Sequence, residues 1–184
     1  MTRLVPLPIA TTVIESLRAG DEVELSGVVL TARDQACARL FEMLQRDESL
    51  PIDLSGELIY FVGPSPAPQG QVVGSAGPTT SGRMNRFIPA LLAAGLRGFI
   101  GKGYLSDGAK GALVQHRGIY FGAIGGTGAL LSQRITEVKV VAFEDLLSEA
   151  IRTMHLERFP VVVLNDCYGG DLYAEAKKGV AEQA

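Results

Sequence analysis

GIYFGAIGGTGALLSQRI, residues 118–135, places a strand, a glycine turn and a helix in direct succession. The apolar run GIYFGAI has the length and composition of a buried strand, and the glycines that follow it predict a turn. A strand that leads through a turn into a helix is the unit from which α/β proteins are built. The stretch therefore predicts an α/β fold in which helices cover a sheet.

The segments on either side extend the same alternation. LRGFIGKG at 96–103 predicts a short strand that ends in a glycine turn, and a helix is predicted near 106–115. Beyond the quoted stretch we predict a strand at 137–143, a helix at 144–154 and a buried strand with an acidic end at 159–166.

The first half of the chain mixes strands and helices as well. A strand is predicted at 22–31, and a helix at 34–47 with Asp34 as its N-cap. One stripe of that helix is apolar, formed by Cys37, Leu40, Phe41 and Leu44.

The segments on either side of GPTTSGRMN, residues 77–85, predict short strands, a loop and a helix. A strand at 57–63 and a proline-rich loop at 63–70 precede a short strand near 71–73. After GPTTSGRMN at 77–85, RFIPALLAAG predicts a helix that Pro89 starts or bends and Gly95 ends.

Length and charge restrict the class of protein. The 184 residues are enough for one domain with its own core, which we expect to span 1–184. The net charge of −3 argues against broad binding to nucleic acid, which requires a basic surface. No apolar run approaches 18 residues and the first 22 residues lack a signal-peptide pattern, so we expect neither a membrane span nor secretion.

Two cysteines, Cys37 and Cys167, are the only ones in the chain. Two are too few for a four-cysteine zinc site or an iron–sulfur cluster, and free thiols in a reducing cytoplasm are the simplest expectation. His116 and His155 lack metal-ligand spacing, and neither IGKG nor GGTG completes a phosphate-binding or dinucleotide-binding motif.

Polar side chains follow three predicted strands at the points where the strands end. These residues are Arg33 in TARD, then Thr79, Thr80 and Arg83 in GPTTSGR, and Lys102 in IGKG. Strand ends of an α/β sheet meet at one edge, where ligands usually bind. Two guanidiniums and one ammonium at such an edge suit a small dicarboxylate. Taken singly, each residue is equally well explained as a solvated charge or a helix cap.

Five segments resemble the beta subunit of class I iron–sulfur fumarate hydratases and L-tartrate dehydratases, which corresponds to the C-terminal domain of the single-chain enzymes. In chain order they are SGVVLTARDQACARL, GPTTSGRMN, IGKG, GGTGAL and FPVVVLND. The resemblance covers roughly residues 5–175, and it implies a swivelling β/β/α domain. It also implies the reversible addition of water to a small dicarboxylate, either fumarate/malate or tartrate/oxaloacetate.

The resemblance further implies a 4Fe-4S cluster that is held by a partner alpha subunit and not by this chain, in a hetero-oligomer such as alpha2beta2. By position, Arg33, Thr80, Arg83 and Lys102 would bind substrate. Thr79 would be the base that removes the C–H proton, helped by the neighbouring cations.

Two positions depart from the family pattern. Cys37 stands where the family usually has histidine, and Asn85 stands where it usually has an acidic residue. We expect Cys37 to pack in the core, whereas Asn85 either caps a helix or alters the charge of the pocket. The alternatives to a hydro-lyase subunit are a non-catalytic anion-binding module and, less favoured, a metal-free enzyme that acts alone.

Overall fold

The computed structural model describes residues 2–181. Its seven strands are β1 (Arg3–Pro6), β2 (Glu22–Thr31), β3 (Leu58–Tyr60), β4 (Gly98–Gly101), β5 (Ile119–Gly122), β6 (Ile135–Ala142) and β7 (Ile151–Asn165). Its helices are α1 (Thr11–Ser16), α2 (Asp34–Gln45), α3 (Ile88–Ala93), α4 (Asp107–Gln115), α5 (Gly128–Ser132) and α6 (Leu172–Ala181), with 3₁₀ helices at Ser81–Met84 and Glu144–Glu149. Across residues 2–181, no helix is both long enough and apolar enough to span a membrane.

The strands β2, β3, β4 and β5 run parallel to one another, in that order. The 15-residue β7 is antiparallel to β2, to β5 and to β6. Because β7 joins the two outer strands of the parallel set, these five strands close into a ring, and β1 and β6 add to its edges. All four parallel strands therefore direct their C-terminal ends to the same side of the molecule.

Side chains from the parallel strands enter two separate cores. Leu58 and Tyr60 of β3 pack between the parallel strands and the antiparallel β7, whereas Ile59 and Phe61 pack against helices α2, α3 and α4. Alternate residues of a strand point to opposite faces, so a strand that is apolar throughout is buried on both sides. The result is a three-layer β/β/α arrangement, as the resemblance predicted.

Two predicted elements were wrong. No helix spans 144–154, because the 3₁₀ helix ends at Glu149 and β7 begins at Ile151. The first residues of β7 pair with β6 on one side and β2 on the other, and these long-range hydrogen bonds outweigh local helix propensity. The stretch 71–73 is a loop whose Val73 is buried, not a strand.

The N-cap of α2 was also predicted incorrectly. Asp34 is the first helical residue, and Arg33 occupies the cap position without a side-chain cap. Instead, the backbone N–H of Gln35 donates to Oε2 of Glu149 across 2.7 Å. A carboxylate from a distant segment therefore caps the helix that follows Arg33.

Candidate active site

The segment 79–81 is held between the ends of two strands. The N–H of Thr79 donates to the carbonyl of Phe61, just past β3, across 2.7 Å. On the other side Thr80 forms a parallel bridge with Lys102, and the N–H of Ser81 donates to the Lys102 carbonyl across 2.9 Å. The backbone that carries both threonines is therefore fixed by hydrogen bonds to the extensions of β3 and β4.

The two threonines differ in exposure. Thr79 is half-buried and Thr80 is exposed, with an extended backbone at φ −62° and ψ 114° for Thr80. Neighbouring side chains on extended backbone point to opposite sides. The hydroxyls of Thr79 and Thr80 therefore leave the backbone in different directions.

Arg33 and Arg83 meet at one carboxylate. Oδ2 of Asp34 lies 3.6 Å from Nη2 of Arg33, and Oδ1 of Asp34 lies 3.4 Å from Nε of Arg83. Of these two arginines, Glu149 approaches only Arg33, with its Oε1 at 3.8 Å from Nη2. The ends of β2 and of the GPTTSGR segment are thus joined by an ionic contact that the sequence analysis did not include.

Glycines make room for two of the cations. A Cβ at Gly63 would lie 2.6 Å from Nη1 of Arg33, and a Cβ at Gly125 would lie 3.3 Å from Cδ of Lys102. The glycine turn after β5 therefore accommodates the stem of Lys102. Gly63 and Gly125 each lie three residues beyond the last residue of a strand, β3 and β5 respectively. These glycines were the sequence signal for the space, although they did not indicate which side chain would fill it.

A buried hydrogen-bond network lies next to the threonines. The Tyr120 hydroxyl hydrogen-bonds that of Ser81 across 2.8 Å and donates to the Gly103 carbonyl across 3.0 Å. Burial raises the pKa of Tyr120 well above its usual value, so the phenol stays protonated. A Cβ at Gly101 would lie 2.0 Å from the Ser81 hydroxyl oxygen. Gly101, Ser81 and Tyr120 thus form one fitted unit behind Lys102.

The two departures from the family pattern have structural explanations. Cys37 is fully buried in the helical core, as its apolar stripe predicts, and its pKa is raised by burial and by the nearby carboxylates of Asp34 and Glu149. Asn85 accepts a hydrogen bond from the backbone N–H of Ser106 across 3.1 Å. Ser106 is the N-cap of α4, so the Asn85 side chain braces the start of that helix, and Asn85 also occupies the C-cap position of the 3₁₀ helix Ser81–Met84.

The cysteines do not form a metal site. Cys37 and Cys167 are free and belong to the two different cores. In the part of the chain that the structure describes, no group of three or more His, Cys, Asp or Glu side chains is placed to hold a metal ion.

The residues Arg33, Thr79, Thr80, Arg83 and Lys102, which we name the cationic edge, form an open surface. The Arg83 side chain is 51% exposed, and that of Arg33 is 24% exposed. A cavity of about 580 Å³ lies elsewhere, between the proline-rich loop and α5, and no residue of the cationic edge lines it. The Arg83 guanidinium is therefore open to solvent on this chain alone.

Together, the fold and the edge define a three-layer α/β protein with cations and hydroxyls gathered at the C-terminal ends of its parallel strands. The chain belongs to the Fumarase C-terminus family, whose profile matches residues 3–176.

Similar proteins fall into two size classes. "Fumarate hydratase 2" of Leishmania major is 36% identical over 158 residues, which is 85% of this chain and 28% of that protein. "Fumarate hydratase class I, aerobic" of Escherichia coli K12 is 36% identical over 155 residues, which is 83% of this chain and 28% of that protein. "Putative L(+)-tartrate dehydratase subunit beta" of Methanocaldococcus jannaschii is 34% identical over 176 residues, which is 92% of this chain and 90% of that protein. The chain therefore spans less than a third of these fumarate hydratases but nearly all of the separate subunit.

Proposed function

We propose that this chain is the beta subunit of an iron–sulfur-dependent hydro-lyase. The reaction is the reversible hydration or dehydration of a small dicarboxylate, either fumarate/malate or tartrate/oxaloacetate. The observation that carries the proposal is that, in a member of this family, two arginines share one carboxylate while the backbone of Lys102 pairs with that of Thr79 and Thr80, all of them beyond the C-terminal ends of parallel strands.

The cations are proposed to bind the substrate carboxylates. A guanidinium can form two parallel hydrogen bonds with a carboxylate, so Arg33 and Arg83 suit this role, and Lys102 adds a point charge. Thr80, exposed beside Lys102, is proposed as a further substrate contact. A dianion is the kind of ligand that three neighbouring cations favour over a neutral molecule.

Thr79 is proposed as the base that removes the proton from the substrate carbon. A threonine hydroxyl is a weak base near neutral pH, and positive charge close by stabilises its alkoxide. The Lys102 N–H donates to the Thr79 carbonyl across 3.3 Å, which keeps the two residues side by side. The half-buried position of Thr79 also shields its hydroxyl from water better than that of the exposed Thr80.

A partner alpha subunit is proposed to complete the site. The exposed Arg83 leaves one side of the edge uncovered, and the similar archaeal protein is itself named a subunit beta. We propose that the partner carries a 4Fe-4S cluster, because the two cysteines here are buried in separate cores and do not fit that role. When bound, such a cluster supplies Lewis acidity toward the substrate hydroxyl.

The remaining parts of the proposal follow the same observations. We treat residues 1–184 as one domain, since the family match runs from residue 3 to residue 176. A hetero-oligomer such as alpha2beta2 and a cytoplasmic location are proposed as well, the latter because both cysteines are free thiols.

The test is a coupled assay of each chain alone and of the two mixed. This chain alone is expected to be folded, colourless and inactive. Adding the alpha subunit with a reconstituted cluster, without oxygen, is expected to yield hydration of fumarate or dehydration of tartrate. Full activity of this chain alone after metal chelation would contradict the split site.

A non-catalytic anion-binding module is the second candidate, since an open cationic edge binds anions without any chemistry. A stable, cluster-loaded mixture that binds a dicarboxylate but does not turn it over would favour this candidate.

A further inference from the structure

The side chain of Asp34 lies between the two arginines of the cationic edge. Its oxygens face different guanidiniums, one at 3.6 Å from Arg33 Nη2 and the other at 3.4 Å from Arg83 Nε. The two arginines lie on segments that follow different strands. We propose that Asp34 is a positioning residue that sets the separation and orientation of the Arg33 and Arg83 guanidiniums for a dicarboxylate, an inference that rests on the proposed function.

The atoms that Asp34 uses leave a binding face free on Arg83. Asp34 approaches Nε, so the two terminal nitrogens Nη1 and Nη2 remain available for a carboxylate. Bidentate recognition by arginine needs a fixed orientation of the planar guanidinium. With its side chain 51% exposed, Arg83 has few other restraints on its many rotamers. Asp34 therefore supplies an orientation that packing does not.

Arg33 is restrained from more directions than Arg83. Gly63 leaves space for its Nη1, and Glu149 lies 3.8 Å from its Nη2. The other oxygen of Glu149 is already occupied by the N–H of Gln35. Glu149 contacts only one of the two arginines, so Asp34 is the carboxylate that couples them.

A structural role alone does not account for the arrangement. The distances of 3.4–3.6 Å are those of ionic contacts between partly exposed groups. Ion pairs of this kind contribute little to folding stability. Loss of Asp34 is therefore expected to change the site much more than it changes the fold.

The sign of the effect separates positioning from simple electrostatics. Asp34 and Glu149 reduce the charge of the three cations to a net single positive charge. If Asp34 acted only through its charge, Asp34→Asn would make the edge more positive and strengthen dianion binding. If Asp34 orients the arginines, the same change weakens binding despite the added positive charge.

The first arm of the test uses the assembled enzyme with a reconstituted cluster and fumarate as substrate. Asp34→Asn is expected to lower kcat/KM at least tenfold, mainly through a higher KM, and Asp34→Glu is expected to recover part of the loss. Asp145→Asn is the matched control, because Asp145, in the 3₁₀ helix Glu144–Glu149, pairs at 2.7 Å with Arg39 of α2 and not with Arg33 or Arg83. An unchanged or higher kcat/KM for Asp34→Asn, with the control at wild-type activity, overturns the proposal.

The second arm does not depend on activity. In the isolated full chain, the ¹⁵N–¹H signal of Arg83 Nε is assigned by its disappearance in Arg83→Lys. Asp34→Asn is expected to shift this signal and reduce its heteronuclear NOE, whereas Asp145→Asn leaves both unchanged. An Arg83 signal that is equally restrained with and without Asp34 overturns the positioning role. A wild-type assembly without hydro-lyase activity would refute the proposed function, and this arm would still decide the role of Asp34.

Discussion

Tyr120 and Ser81 are joined by a buried hydrogen bond of 2.8 Å between their hydroxyls. Ser81 directly follows Thr80 in the chain. The Ser81 side chain is completely buried, and the Tyr120 hydroxyl also reaches the carbonyl of Gly103. The turn that follows Lys102 and the segment that carries the threonines thus depend on the same phenol. Removing that phenol tests how strongly the fold supports the site.

Tyr120→Phe is expected to lower the free energy of unfolding by about 1–3 kcal/mol, because it leaves buried polar groups short of a partner. Urea denaturation measures this loss. Tyr168→Phe is the control, since its hydroxyl bonds the Glu15 carbonyl at the surface and its loss should cost about 0.5 kcal/mol or less. Equal stability of the two variants would show that the Tyr120 network does not support the turn.

Arg83→Ala is expected to lower kcat/KM of the assembled enzyme at least tenfold while the chain remains folded. A hydrogen bond between charged groups contributes about 1.5–3 kcal/mol, which corresponds to roughly a tenfold to hundredfold change in affinity. Arg86→Ala is the control, because Arg86 is three residues away and lies over the ring of Phe87. Similar kinetics for both variants would remove Arg83 from the site.

The two threonines are distinguished by proton exchange at the substrate carbon. Thr79→Ala is expected to reduce exchange of label from deuterated water by about 10²–10⁴-fold, the usual contribution of a general base. Thr80→Ala is expected to raise KM and to retain exchange. Loss of exchange in Thr80→Ala alone would move the base by one residue, and retention in both variants would place the base outside this segment.

The sequence predicted where the strands end better than it predicted the long-range contacts between the segments that follow them. Apolar runs located β2, β4 and β5, the last two with glycine turns after them, and therefore the side chains that follow these strands. The contact between Gln35 and Glu149 joins residues 114 positions apart, and no local pattern encodes it. The same limit explains why Asp34 was predicted as a cap and not as the ionic link between two arginines.

The helix predicted at 144–154 failed for a related reason. Its composition favours a helix, but Leu147 has φ 53° and ψ −112°, a non-helical conformation that kinks the 3₁₀ helix Glu144–Glu149. The residues from Ile151 onward are drawn into pairing with two other strands. Closure of the ring by β7 is a property of the whole sheet, so a window of ten residues could not reveal it.

Cys37 gives the last prediction, which concerns stability at alkaline pH. Burial, with the Asp34 and Glu149 carboxylates nearby, raises the pKa of this thiol above its ordinary value of 9.0. The unfolded chain therefore loses the thiol proton at lower pH than the folded chain does. The contribution of the protonated Cys37 thiol to the free energy of unfolding is fully present below pH 9.0 and declines above it by about 1.4 kcal/mol per pH unit.

Urea denaturation at intervals from pH 8 to pH 10 measures this decline. Cys37→Ala is expected to cost about 1–2 kcal/mol at pH 8, through the small cavity that it leaves, and to flatten the decline above pH 9. Burial raises the pKa of Cys167 as well, so the double replacement should flatten the decline further. In the native chain at pH 8, Cys37 should resist a thiol reagent such as DTNB until urea unfolds the protein. Rapid modification of Cys37 in the folded chain, or an unchanged pH dependence in Cys37→Ala, would contradict the packing role.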